Sequence, residues 1–284
     1  MGKSPPLAPR EAAAAEAIIR LGCRLGIGGI CPIILNAQRR ITIQLTPHLV
    51  ARAISSDTAA VNSMTLELNV VHHLVRNGAP VVRPSAELPA RPYVESGFVF
   101  TFWEFVKHSN ADNHNVEHVS LAANALRRVH DGFTDFRSLK DFWCPIDRCR
   151  RSLVDETQIV ALSEQDRSFL LKAFDRLRAL AAVPLSDMRP IHGDAHLGNV
   201  FITAEGAFWD DFEDACLGPR EWDICWFYDK IDFTVFGSVN RELVSTLHYM
   251  RKLCTAVWSY QSNDPERHKA AECIVAYLKA AHPF

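Results

Sequence analysis

The stretch Ile191-His192-Gly193-Asp194-Ala195-His196-Leu197-Gly198-Asn199-Val200 sets imidazole, carboxylate and carboxamide groups between apolar residues. A second polar run, Asp210-Asp211-Phe212-Glu213-Asp214, follows shortly after it. Asn199 stands five residues after Asp194, and Asp211 twelve after Asn199. Between them, Asn199 to Thr203 and Ala207 to Trp209 flank a turn at Ala204-Glu205-Gly206, which predicts a hairpin. A hairpin of that length returns the chain close to its start, so Asp194, Asn199 and Asp211 can converge on one small volume. Phosphoryl transfer needs such a set. A carboxylate must orient the attacking hydroxyl and accept its proton, and hard oxygen ligands must hold Mg²⁺ against nucleotide phosphates. An Asn amide oxygen and one Asp carboxylate suffice for a metal that keeps several waters. His-Gly-Asp alone is also turn chemistry; the Asp-Phe at the right distance is what a bare turn leaves unexplained.

Protein kinases space a catalytic-loop Asp, an Asn five residues on and a later Asp-Phe in the same way; here Gly193 replaces the Arg of their loop. The stretch resembles the H-G-D-x-x-x-x-N signature of the aminoglycoside phosphotransferase and choline kinase superfamily. Asp211-Phe212 looks like that superfamily's I-D-F motif, and Leu217-Gly218-Pro219-Arg220-Glu221-Trp222-Asp223 is similar to its G-D-P-x-x-D segment. The resemblance implies that Asp194 is the catalytic base, that Asn199 and Asp211 are Mg²⁺ ligands, and that Asp223 braces the loop without reacting. His192 and His196 would support the loop. Asp210 and Asp214 read as solvent-facing or outer carboxylates, with help to the metal from either as the alternative.

The implied fold is α+β and protein-kinase-like, with a small β-rich N-terminal lobe and a larger, mainly helical C-terminal lobe. Its third strand carries a cation for the phosphates, set by a Glu on the next helix. Here those positions fall on Arg52 and Glu67. Most relatives carry Lys where Arg52 stands, and a planar fork is no equivalent of a point charge, though it can clamp phosphate. A purely structural Arg52–Glu67 ion pair is the other reading. The phosphate-covering turn would be Asn36-Ala37-Gln38-Arg39, which holds no Gly, with Asn36 at the nucleotide. Backbone groups of Glu104 to Val106 would meet the base, while Trp103 and Phe105 pack in the core. Gly26-Ile27-Gly28-Gly29 precedes the first strand and reads as a connection.

The elements that must position these groups are legible in the periodicity. Helices are expected over Pro9–Leu25, Ala59–Asn77, Val116–His130, Ser163–Leu180, Arg220–Asp229, Arg241–Tyr260 and Pro265–Ala281. Pro32–Leu35, Arg40–Leu45 and His48–Ile54 read as an antiparallel strand meander, and Phe98–Phe102 as a further strand. The division between halves is expected near Val106: residues 1–106 for the nucleotide, residues 107–284 for the catalytic loop and acceptor.

With 284 residues the chain can bury a sizeable core. Lys+Arg 31 against Asp+Glu 33 leaves a formal charge of -2, which favours neither a nucleic-acid partner nor a polybasic membrane face. Eight cysteines include no C-x-x-C pair and no zinc-type block, so reduced, mostly buried thiols are expected. The start Met1-Gly2-Lys3-Ser4-Pro5-Pro6 has no apolar signal core, and Pro6 stands where a myristoylation signal wants Ser or Thr. No apolar run reaches membrane-spanning length, so the expected compartment is the cytoplasm.

The expected partners are a nucleotide, ATP or GTP, and a small hydroxyl-bearing acceptor; no nucleic-acid polymer and no membrane are expected. Cationic acceptors would want carboxylates, for which Glu213, Asp214, Asp229 and Asp232 are candidates, although helix-surface acids look the same. In some antibiotic-modifying relatives the terminal carboxylate lines the acceptor pocket; here that is Phe284. Two rivals stand beside the kinase. A nucleotide- or ligand-binding pseudokinase rests on Arg52 and the glycine-free turn. A metal-dependent hydrolase rests on His192, Asp194 and His196 as H-x-D-x-H, but lacks further His/Asp blocks.

Overall fold

The computed structural model describes residues 8–37, 39–136 and 139–281. Met1–Pro6, Gln38 of the expected phosphate turn and Phe284 lie outside the described residues.

The chain runs α1 (Pro9–Leu25), β1 (Ile33–Ala37), β2 (Ile41–Gln44), β3 (Leu49–Ser55), α2 (Thr58–Arg76), β4 (Tyr93–Glu95), β5 (Phe98–Glu104) and β6 (Ser109–Asn110). It continues with α3 (Val116–Gly132), β7 (Lys140–Asp141), α4 (Trp143–Val154), α5 (Glu164–Leu180), β8 (Arg189–Ile191), β9 (Val200–Thr203), β10 (Gly206–Trp209) and β11 (Cys216–Gly218). It closes with α6 (Glu221–Ile224), α7 (Arg241–Tyr260) and α8 (Pro265–Ala281). The architecture is α+β, with β-rich structure towards the N-terminus and mainly helices towards the C-terminus.

The described residues form two compact units, and the division is not a single cut of the chain. The first holds residues up to Ala111, with Asp131–Phe133 and Gly198–Glu213. The second holds Asp112–His130, Thr134–Leu197 and the residues from Asp214 onward.

In the first unit the strands order β1-β2-β3-β5-β4, every neighbouring pair antiparallel. The alternation of β2 buries Ile41 and Ile43 and leaves Thr42 on the other face, opposite Arg52 of β3. Pro9 starts α1, where its missing N–H costs nothing, and Gly26 ends it in the left-handed conformation at φ 74. The apolar stripe Ala14, Ala17, Ile18 and Leu21 packs on Ile41, Ile43, Ala51, Phe100 and Phe102 of the sheet. Asp57 caps α2 by accepting from the Ala60 N–H at 2.6 Å. The β9–β10 hairpin pairs Val200 with Trp209 and continues through β6 into a small sheet. Fully buried Trp209 joins it to the remainder of this unit: its N–H donates to Pro80 O at 2.9 Å, and its C=O accepts from Val82 at 2.9 Å.

In the second unit, β11 lies between β7 and β8, parallel to the first and antiparallel to the second. α7 buries Leu243, Val244, Leu247, Met250, Cys254 and Val257 along one side, as a core helix should.

Several expectations need correction. β1 extends through Asn36 and Ala37 with a bulge after Ile34, so Asn36 is strand, not turn. The helix expected over Arg220–Asp229 stops at Ile224. A 3₁₀ turn follows over Cys225–Phe227, then Tyr228 is extended (ψ 130) and Asp229 left-handed (φ 59). α4 was not anticipated, because Pro145 and four charged residues mask its pattern; Pro145 is tolerated in the first turn. All eight cysteines are free, but Cys23, Cys31, Cys144 and Cys273 are exposed, so half rather than most are buried. Among the described residues no helix is long and apolar enough to cross a membrane.

Candidate active site

The catalytic-loop half lies in the second unit. β8 delivers His192, Gly193 and Asp194, and the carboxylate of Asp223 holds their backbone. Asp223 is 0% exposed. Its Oδ2 accepts from the His192 N–H at 2.8 Å and from His130 Nε2 at 2.9 Å; its Oδ1 accepts from the Gly193 N–H at 3.0 Å. Burial works against the charge. The His130 hydrogen bond, the nearby His130 and His192 rings and the His192 N–H outweigh it and hold the Asp223 carboxyl below the usual carboxylate range. Gly193 sits at φ 87, and a Cβ there would stand 2.0 Å from the Asp214 carbonyl oxygen, so no other residue fits this close approach.

Asp194 itself is 37% exposed. Arg251 of α7 reaches its Oδ1 with Nη1 at 3.4 Å and donates from Nη2 to Gly193 O at 3.3 Å and Trp222 O at 3.2 Å. The buried Arg251 guanidinium stacks on Trp222 at 3.8 Å and on Trp226 at 4.7 Å. Trp222 Nε1 donates to Gly193 O at 2.7 Å. His196 Nε2 is 3.5 Å from Asp194 Oδ2, and the His196 ring meets Trp226 edge to face at 5.4 Å. Arg251 had been missed. The signal was an arginine on the apolar stripe of α7, three residues before Cys254 and four after Leu247.

Asn199 and Asp211 lie in the first unit. Asn199 ends a 3₁₀ turn, and its carbonyl accepts from the Asp210 N–H at 2.9 Å, which closes the base of the hairpin and sets Asp211 one residue on. Asp211 is left-handed at φ 60, a conformation non-glycine residues adopt at a cost, characteristic of constrained sites.

Around Asp211 the first unit gathers cations and carboxylates. Glu67 of α2 is 0% exposed. Arg52 Nη1 donates to Glu67 Oε1 at 3.2 Å, and its Nη2 meets both oxygens of Asp210, at 2.5 and 2.6 Å. Arg52 also lies over the Trp103 ring at 4.2 Å. Of the two expectations for Asp210, it is therefore the outer carboxylate, bonded to Arg52, and not a solvent-facing one. Arg40 is the second missed residue. It stands just before β2, two residues ahead of Thr42, which pairs with Arg52. Its guanidinium approaches Glu67 at 3.0 Å, Asp211 at 3.1 Å and Glu213 at 2.7 Å. Burial opposes the charge on both arginines. Asp210 and Glu67 for Arg52, and Glu67, Asp211 and Glu213 for Arg40, outweigh it and raise both pKa values. Burial raises the Glu67 carboxyl against the pull of Arg40 and Arg52.

The remaining residues are occupied or scattered. Glu213 is held by Arg39 at 3.0 Å and by Arg40, while Asp214, in the other unit, pairs with Lys140 at 3.2 Å. Asp232 pairs with Arg241 at 2.8 Å. The Glu104 N–H donates to Arg83 O at 3.0 Å, and Val106 O is 2.7 Å from His108 Nδ1. Trp103 is buried in the core and Phe105 partly so.

For Mg²⁺, Asn199 and Asp211 offer the hard oxygens the ion prefers. Asp211 Oδ1 is buried and, although within ion-pair distance of Arg40, accepts no hydrogen bond from any described residue. An acceptor left in that condition costs about 1–3 kcal/mol, and a cation would relieve it. The donor set fits the ion.

The phosphotransferase enzyme family profile matches residues 36–253, a span that holds the loop, the hairpin and α6 together. The chain belongs to the phosphotransferase enzyme family. It is a phosphotransferase with an alcohol group as acceptor, and a small-molecule kinase; the hydrolase reading of His192, Asp194 and His196 falls with that assignment. Its fold is that of the aminoglycoside and choline kinases. Wild-type aminoglycoside 2'-phosphotransferase-IIIa, solved as its GDP complex, matches with a TM-score of 0.70 at 14% identity, over 93% of this chain and 98% of that one. A choline/ethanolamine kinase family protein from Mesorhizobium loti matches with a TM-score of 0.71 at 18% identity, over 94% of each chain. Choline kinase LicA from Streptococcus pneumoniae matches with a TM-score of 0.63 at 14% identity, over 92% and 99%. No curated protein matches the phosphotransferase in sequence.

Proposed function

We propose that this phosphotransferase moves the γ-phosphoryl group of Mg²⁺-ATP, or of GTP, to a hydroxyl of a small metabolite or antibiotic. The bond from the γ-phosphorus to the β–γ bridging oxygen breaks, and a bond from that phosphorus to the acceptor oxygen forms. The hydroxyl proton passes to the Asp194 carboxylate and then to solvent, and the nucleoside diphosphate leaves. The N-terminal half holds the nucleotide, through Arg52, Glu67, Asn36 and the backbone near Glu104 and Val106. The helical half holds the acceptor.

Bound Mg²⁺ would neutralise charge on the phosphates, with Asn199 and Asp211 as its protein ligands. The chain's own residues do the rest. Asp223 fixes the loop through the His192 and Gly193 N–H groups, Arg251 orients the Asp194 carboxylate, and His196 flanks it. The observation that carries this reading is the loop itself: a partly exposed carboxylate, 37% accessible, on a backbone pinned by a fully buried one.

A second reading, a nucleotide- or ligand-binding pseudokinase, draws on one observation. Both terminal nitrogens of Arg52 are already engaged by carboxylates, and Arg40 sits 3.1 Å from Asp211. Calorimetric titration with ATP and GTP, each with and without Mg²⁺, separates the two. Mg²⁺-dependent binding that weakens in Asp211→Ala is expected. Metal-independent binding, or none, favours the pseudokinase.

A further inference from the structure

Beside the catalytic-loop half, the second unit carries a cluster of aromatic and cationic side chains to which nothing above gives a ligand. Trp226 is its first member. It already contacts Arg251 and His196, which both approach the Asp194 carboxylate, and its buried Nε1–H has no acceptor among the described residues. Two residues on, Tyr228 stacks on His248 of α7 with ring centroids 4.4 Å apart and planes at 25°. Tyr249 meets His248 edge to face at 5.4 Å and stacks on Tyr277 of α8 at 6.2 Å. The Tyr277 ring is 42% exposed.

The charges in this cluster are mostly positive. Lys252 follows Arg251 directly and lies over the Tyr277 ring at 5.9 Å. Lys230 donates to Asn113 Oδ1 at 2.6 Å. Among the described residues neither lysine makes an ion pair, and each feels the other as a like charge. Burial and then Lys252 push the Lys230 ammonium down, while burial and then Lys252 and Lys230 help hold the His248 ring neutral. Asp229 is the carboxylate felt most at His248 and Tyr249. Two cations and one acid leave a net positive charge beside flat ring faces. The carboxylates that a polycationic acceptor would need are engaged elsewhere, Asp214 by Lys140 and Asp232 by Arg241.

We infer that this cluster recognises an acceptor alcohol that is itself an acid, with a planar ring or flat apolar part lying against Tyr228, Tyr249 and Tyr277 and its carboxylate or phosphate met by Lys230 and Lys252. Lysine is a point charge suited to either anion, and aromatic faces stack on planar groups without demanding their hydrogen bonds. The inference rests on the kinase reading for the word acceptor, while the binding chemistry stands without it.

Three matched probes share one ring and one primary alcohol and differ in charge: para-(hydroxymethyl)benzoate, its carboxamide, and para-(hydroxymethyl)benzylamine. Binding to the full chain is measured by calorimetry or saturation-transfer NMR without nucleotide, so the result does not depend on phosphoryl transfer. The benzoate is expected to bind about tenfold more tightly than the carboxamide, the value of a charge-assisted contact, and the benzylamine more weakly still. Lys252→Met and Lys230→Met should each bring the benzoate towards the carboxamide, with the melting temperature and Mg²⁺-ATP affinity as controls for folding. Binding led by the benzylamine, an unchanged preference in both variants, or no binding by any probe overturns the inference. Benzoate binding with no transfer from Mg²⁺-ATP to it would instead strike at the kinase reading and leave this one standing.

Discussion

Glu67 and Asp223 are both fully buried carboxylates, one in each unit, and they are driven in opposite directions. Asp223 accepts three short bonds, two of them from backbone N–H groups, and its carboxyl goes down. Glu67 faces two guanidiniums, and its carboxyl goes up. Its arginines are shared with Asp210, Asp211 and Glu213, and Asp211 and Asp210 repel it, so attraction does not repay the cost of burial. Directed hydrogen bonds hold a buried charge better than a crowd of shared ions. The loop is built to keep one geometry, whereas the arginine cluster is built of partners that can be exchanged.

Breaking each carboxylate with its amide isostere sharpens this contrast. Asp223→Asn must set an NH₂ against one of the N–H donors, and a loss of about 3–5 kcal/mol is expected by urea denaturation, with phosphoryl transfer abolished. Glu67→Gln replaces a carboxyl already disfavoured as an anion, while Arg40 and Arg52 keep their other carboxylates. The expected loss is smaller, about 1–2 kcal/mol. Equal losses would mean that the two sites do not differ in the way described.

A third, half-buried group tests the same logic from the cationic side. Burial pushes the His248 ring down to about 4, from an ordinary value near 6.5. Between those values the unfolded chain binds the proton and the folded chain does not, so stability falls as pH drops from 6.5 towards 4. Because the ring is partly open to solvent, the loss is about 1–2 kcal/mol. His248→Gln should flatten the stability profile in that window, which thermal melting across the range would reveal.

The helices and the loop chemistry were the legible part of this chain. α1, α7 and α8 were legible because each carries an apolar stripe and begins at a clear proline or asparagine signal. His192, Asp194, Asn199 and Asp211 could be singled out because they lie close together in sequence. Arg251 and Arg40 could not, since they reach the site from 57 residues beyond Asp194 and 27 residues before Glu67. Which of its two expected places Asp210 would take, facing solvent or standing behind the site, was not legible for a related reason: it depends on Arg52, 158 residues away. After Ile224 the chain tightens into a 3₁₀ turn, and Tyr228 and Asp229 then leave helical geometry, which no periodicity announces.

The rate of phosphoryl transfer from Mg²⁺-ATP in Asp194→Asn, measured beside its Mg²⁺-ATP affinity, tests the assignment of Asp194 as base most directly. Turnover should fall by about a hundredfold or more while nucleotide affinity is retained, since removing a general base removes a contribution of that size. Full turnover in Asp194→Asn would contradict it.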